Sequence, residues 1–148
     1  MQRIVLVTLS ALLATTATGA QAKSAHSKWM AGPPGLPAGA TFMVVSGDPG
    51  KAGPFVIRAK LPANYTVPPH SHPGDETVRV LSARTLTYGM GDKVNPGSSG
   101  SLTKGYHVTM QATMTHWVTT TDPVEIQVSG NGPFAITYVN PADDPRKK

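Results

Sequence analysis

Residues 68–76 read Pro68-Pro69-His70-Ser71-His72-Pro73-Gly74-Asp75-Glu76. In an extended strand, residues two apart point to the same face, so His70 and His72 are expected to present two imidazoles side by side. Pro73-Gly74-Asp75 then turns the chain, and Glu76 opens a new strand in which it shares a face with Val78 and Val80. A carboxylate on an apolar, inward face is costly unless something compensates its charge. A cation held among neutral imidazoles does so, and His116 on a later strand offers a third imidazole. Pro68 and Pro69 stiffen the approach and lower the entropy of assembling such a site. The expected metal ligands are therefore His70, His72, Glu76 and His116.

Around this segment the chain reads as short strands. Thr41–Ser46 is β-prone and closed by Gly47-Asp48-Pro49-Gly50. Phe55–Leu61, Thr77–Leu81, Arg84–Met90, Gly105–Met110, His116–Thr121 and Val124–Ser129 follow. Asn95–Gly100 reads as a polar turn, and Gly130-Asn131-Gly132 as a hairpin turn from which Phe134–Val139 returns. About eight strands at such spacing predict a sandwich or barrel, with no sustained helical period and no internal repeat. The chain has 148 residues, with 15 Gly and 14 Pro, which also suits strands and turns. That length is one ordinary domain. There is no Cys, which excludes disulfides, thiolate nucleophiles and Fe–S clusters.

The N-terminus carries its own pattern. Arg3 precedes an apolar run from Ile4 to Leu13, and small residues follow to Ala20-Gln21-Ala22. This is the pattern of a signal peptide over residues 1–22, with cleavage after Ala22, a periplasmic or secreted destination and no lasting membrane anchor. Residues 23–40, rich in Pro and Gly, are expected to form an irregular arm, 41–140 the barrel, and 141–148 a solvated tail that includes Asp143, Asp144 and Arg146. The charge of +5 falls to +4 without Arg3, and the basic residues form no stripe with stacking aromatics, so nucleic acid is not the expected partner.

The histidine segment resembles the first motif of the cupin superfamily, Gly-x5-His-x-His-x3-4-Glu-x6-Gly. His70, His72 and Glu76 stand at its metal-binding positions, while Asn64 and Ala83 replace its two glycines. The second motif, Gly-x5-Pro-x-Gly-x2-His-x3-Asn, is matched by Gly105 and His116. Gln111, Thr113 and Thr120 stand where Pro, Gly and Asn are usual. The resemblance spans about Thr41–Val139 and implies an all-β double-stranded β-helix, a jelly-roll barrel with the metal inside. It also implies small-molecule partners, and the open barrel edges invite a homodimer.

Three imidazoles and a carboxylate suit one divalent transition metal, Fe, Mn, Ni, Cu or Zn, rather than Ca or Mg. The bulky residues expected on the barrel wall are Tyr88, Met90, Tyr106, Met110, Met114, Trp117, Phe134 and Tyr138, with Trp117 pointing away from His116. His107, Tyr88, Met90, Tyr106 and Met114 are the expected pocket residues or partners of the ligands. No residue stands out as a catalytic acid or base. The leading functional expectation is a metal-dependent enzyme on a small molecule, most simply dioxygenase-like, and the alternative is a non-catalytic metal- or ligand-binding barrel. A purely structural barrel ranks last, because it leaves Glu76 on an inward face unexplained.

Overall fold

A computed structural model describes residues 28–148; the expected signal peptide and His26 lie outside the described residues. The described residues form eleven strands, β1 (Met30–Ala31), β2 (Thr41–Ser46), β3 (Gly53–Leu61), β4 (Thr66–Ser71), β5 (Glu76–Val80), β6 (Leu86–Met90), β7 (Ser99–Leu102), β8 (His107–Met110), β9 (His116–Thr120), β10 (Val124–Gly132) and β11 (Thr137–Tyr138). They make two antiparallel sheets, β1-β2-β3-β10-β5-β8 and β11-β4-β9-β6-β7. The architecture is all-β, a jelly roll.

Alternation decides which residues enter the core. Phe55, Ala59 and Leu61 of β3, Val78 and Val80 of β5, and Val124, Ile126 and Val128 of β10 are buried and form one cluster with Val67, Leu86, Leu102 and Met110. Each large apolar side chain removed from water contributes about 1.5–3 kcal/mol before entropy is counted. Phe55 is among the most buried and packs at 5.0 Å on Phe134, which is itself partly buried against this cluster. The cations of β3 face outward: Arg58 pairs with Glu125, and Lys60 lies 4.1 Å over the Trp29 ring.

Strand β4 breaks the alternation. Val67 pairs with Val118 and His70 with His116, so three steps along β4 match two along β9. The extra residue falls in Pro68-Pro69, where two missing N–H groups can give nothing to the ladder. The bulge turns His70 to the same side as Val67; a regular strand would have put them on opposite faces.

Four expectations are corrected here. Asn95–Gly100 is a turn only in part, since its end begins β7. The arm contributes β1, which pairs with β2. Gly130–Gly132 makes no hairpin: β10 runs on to pair Gly132 with Gly53, and the next strand, β11, pairs with β4 in the other sheet. Glycine there serves close approach, because a Cβ on Gly130 would lie 2.6 Å from the Asp75 carbonyl oxygen. The tail is ordered into two turns, Pro141–Asp143 and Pro145–Lys147, with Asp144 buried instead of solvated because it caps the second turn and binds Arg146.

Gly130→Ala is expected to destabilise the fold by about 1–3 kcal/mol, since the methyl meets rigid backbone. Denaturant unfolding checks this, and an unchanged midpoint would contradict the close approach.

Candidate metal centre

Strand ends bring four side chains to one place. His70 lies one residue before the end of β4, His72 just after it, Glu76 opens β5 and His116 opens β9. All four are buried. The rings of His70 and His72 lie 4.9 Å apart, those of His70 and His116 4.3 Å, and those of His72 and His116 5.3 Å. One ligand nitrogen from each histidine lies within 4.8 Å of the others, an arrangement that can hold a metal ion.

Backbone carbonyls orient each ring. Nδ1 of His70 donates to Pro68 O at 2.7 Å, Nδ1 of His72 to Ala135 O at 2.7 Å, and Nδ1 of His116 to Met114 O at 2.9 Å. A carbonyl can only accept, so Nδ1 carries the proton and the Nε2 lone pair is left to face inward. This is the arrangement by which outer partners fix the tautomer of metal-binding histidines. Phe134 stacks on the His72 ring at 4.3 Å and 18° and holds its plane.

The inward atoms lack partners. Nε2 of His72 and of His116 are buried without a hydrogen bond, although Glu76 Oε2 lies 3.5 Å from the first and 3.1 Å from the second. Lone pairs facing a carboxylate repel it unless a positive charge sits among them, and an uncompensated buried charge costs several kcal/mol. Either a proton or a metal cation answers this, and the donor set of imidazole nitrogen and carboxylate oxygen fits a transition ion.

Burial pushes the His70 imidazole down to about 3, with the His116 charge adding to the effect. Burial likewise lowers His72. Burial opposes protonation of His116 too, but the Glu76 carboxylate 3.1 Å from its Nε2 outweighs it and holds that ring above its ordinary range. For Glu76, burial favours the neutral acid, and His116, followed by His72, overcomes it and keeps the carboxyl low. The cluster thus disfavours charge on His70 and His72, favours the Glu76 carboxylate, and favours a proton on His116 over the other two rings.

The cluster lines a cavity of about 520 Å³. Its wall is apolar, with Ile57, Ala59, Val67, Val118, Ile126 and Val128 from the two sheets. Pro33 and Leu36 of the arm, Phe134, Ile136 and Arg146 complete it. Size and lining match the usual small-molecule site.

Several expected pocket residues lie elsewhere. Tyr106 is 69% exposed, Met90 42% and Met114 37%, and none lines the cavity. His107 is exposed on β8, 3.3 Å from Arg79. Tyr88 packs on the core beside Gly100 without reaching the cavity. Met114 serves through its carbonyl alone. Trp117 points away from His116 and lies across Gly89. Of the bulky candidates, Met110 and Phe134 line the cavity, and Tyr138 sits 5.9 Å from His70 with its hydroxyl donating to Gly35 O at 2.8 Å. Sequence reading missed Leu36, the Ala135 carbonyl and Arg146.

Two motif departures carry strain. Asn64 and Thr113, which stand where cupin glycines are usual, have φ of 54° and 64°. Asn tolerates that region, whereas a β-branched Thr pays for it. Thr113 N donates to His72 O at 2.8 Å, and Ala112 N to Asp75 Oδ1 at 2.8 Å, so the loop before His116 is tied to the histidine segment.

No known protein family's sequence profile matches the chain, and no curated protein matches it. Solved structures do match. The polyketide cyclase RemF from Streptomyces resistomycificus superposes with a TM-score of 0.59 at 17% identity, over 73% of this chain and 76% of that one. The DMSP lyase DddQ from Ruegeria pomeroyi gives 0.60 at 21% identity, over 77% and 61%. A cupin superfamily protein from Desulfitobacterium hafniense gives 0.52 at 10% identity, over 63% and 77%. The chain has the cupin fold.

His72→Ala is expected to reduce metal uptake from one equivalent to none while the barrel stays folded, and His107→Ala to leave uptake unchanged. Metal titration followed by elemental analysis separates the two variants. Equal uptake by both would overturn the ligand set. Thr113→Gly is expected to raise stability by up to about 1 kcal/mol, the relief of strain less the added freedom of glycine in the unfolded chain. A lowered melting midpoint would contradict this.

Proposed function

We propose that this protein is an exported, metal-dependent enzyme acting on an apolar small molecule inside the barrel, with dioxygenase-like oxidation as its chemistry. The observation that carries the reading is the convergence of inward Nε2 atoms and a buried carboxylate on a cavity whose other lining, Arg146 apart, is without charge. His70, His72 and His116 would hold one divalent transition ion, with Glu76 as the fourth donor. Bound there, Fe, Mn, Ni or Cu supplies redox chemistry with O2, and Zn supplies Lewis acidity alone.

The chain's own residues prepare the site. Three carbonyls fix the imidazoles before any ligand arrives, so little reorganisation is needed on binding. The apolar wall excludes water and strengthens every charge interaction at the cluster. A polyketide cyclase and a DMSP lyase among the similar structures support small-molecule turnover in this barrel. One feature favours the second reading, a non-catalytic binding protein: apart from the cluster and Arg146, the residues lining the cavity include no ionisable group for proton transfer. The exported location rests on the Met1–Ala22 pattern, and a homodimer through the barrel edges remains the expected assembly.

The test is elemental analysis of the protein exported by its own host and purified without chelator, followed by oxygen-uptake assays on small organic acids and phenols. One equivalent of a redox metal with oxygen consumption is the expected result. One equivalent of Zn without consumption would overturn the oxidative reading in favour of binding. A chain that holds and takes up no metal would overturn both.

A further inference from the structure

Among the described residues, Arg146 is the one charged side chain outside the histidine cluster that lines the cavity. It is unusually fixed for a residue near a chain end. Its Nε donates to Asp144 Oδ1 at 2.8 Å, and Nη2 donates to Asp144 Oδ2 at 2.9 Å and to Ile136 O at 3.0 Å. Its backbone N–H also donates to Asp144 Oδ1, at 3.0 Å. Nη1 enters none of these bonds. It lies 3.6 Å from where a Cβ on Gly35 would sit, and Gly35 also lines the cavity. The same absent Cβ would come within 2.7 Å of Ile136 Cγ2, so the arm approaches the segment before β11 closely here, beside Arg146.

A guanidinium clamped along one edge keeps its other N–H pair aimed without further loss of side-chain entropy. Asp144 offsets much of the charge, so what remains is a directed donor and not a bare cation. The rest of the lining offers hydrocarbon together with the imidazoles and carboxylate of the cluster.

We propose that Arg146 is the specificity-determining residue of this cavity, its Nη1 donating to an anionic oxygen of an apolar small acid whose body fills the barrel. The substrate class is then a carboxylate or similar oxyanion on a hydrocarbon or aromatic frame. This rests on the reading that the cavity takes a small molecule, and goes beyond it by naming the group recognised and the residue that recognises it. A tail that merely latches onto β11 would use the same Asp144–Arg146 pair, so the test must separate latch from anchor.

Two fluorescent probes with one frame do so: anilinonaphthalene sulfonate, which carries an anion, and phenylnaphthylamine, which does not. Each is titrated into the full chain, in metal-loaded and chelator-treated form, for wild type, Arg146→Gln, Arg146→Lys and Asp144→Asn. Circular dichroism and melting midpoints report whether each variant is folded. Wild type is expected to bind one equivalent of either dye and to prefer the sulfonate. Arg146→Gln is expected to lose roughly tenfold for the sulfonate, the scale of one charge-assisted hydrogen bond, and less than twofold for the amine. Arg146→Lys should recover part of the loss. Asp144→Asn should keep the sign of the preference at reduced size, because the guanidinium loses one clamping contact but keeps its charge, now less compensated, and its Nη2 bond to Ile136 O. Equal weakening of both dyes in Arg146→Gln and Asp144→Asn would reduce the pair to a latch and overturn the proposal. So would a sulfonate preference unaffected by Arg146→Gln. Failure of both dyes to bind wild type would instead overturn the small-molecule reading of the cavity, and the role of Arg146 with it.

Discussion

Three backbone carbonyls, from Pro68, Met114 and Ala135, accept the Nδ1 protons of three buried histidines and turn their Nε2 lone pairs toward one another and toward Glu76. Much of the site's construction follows from this constraint. The carbonyls come from a bulge, from the loop before β9 and from the crossing between the sheets, so the constraint ties together segments distant in sequence. An apolar barrel around such a set gains nothing unless the inward atoms acquire a positive charge. A proton on His116 satisfies one atom; a metal ion satisfies them all.

The bulge at Pro68-Pro69 shows how a local irregularity sets a global feature. In a regular strand His70 would face away from Val67, on the far side of the sheet from His116. One extra residue reverses this, and the same proline pair supplies the carbonyl that orients His70. The strained backbone at Thr113 acts similarly for His116, since its N–H binds His72 O and joins the two histidine segments. Motif glycines are absent at Asn64 and Thr113, yet the chain keeps the left-handed turns they would have eased.

The strands with clean period-two alternation, β3, β5 and β10, were legible because burial on one face and solvent on the other leaves that imprint. Strand β4 is not, because its two prolines and single histidine carry no alternation, and β7 is hidden in a Gly/Ser run that reads as a turn. The four clustered side chains were legible from spacing and residue type. The pocket wall was not: Tyr106, His107, Met90 and Met114 have the right chemistry, but which way a strand residue faces depends on register and bulges set by its partners. Arg146 reads in sequence as part of a solvated end, because its fixation depends on the Asp144 carboxylate, on the Ile136 carbonyl and on the turn that Asp144 caps. None of these leaves a periodic signal.

X-ray absorption spectroscopy of the metal-loaded protein bears most directly on the histidine cluster. One ion per chain, with imidazole scattering from about three nitrogens at roughly 2.0–2.2 Å, is the predicted result. An ion surrounded by oxygen alone, or a chain that takes up no ion, would contradict it.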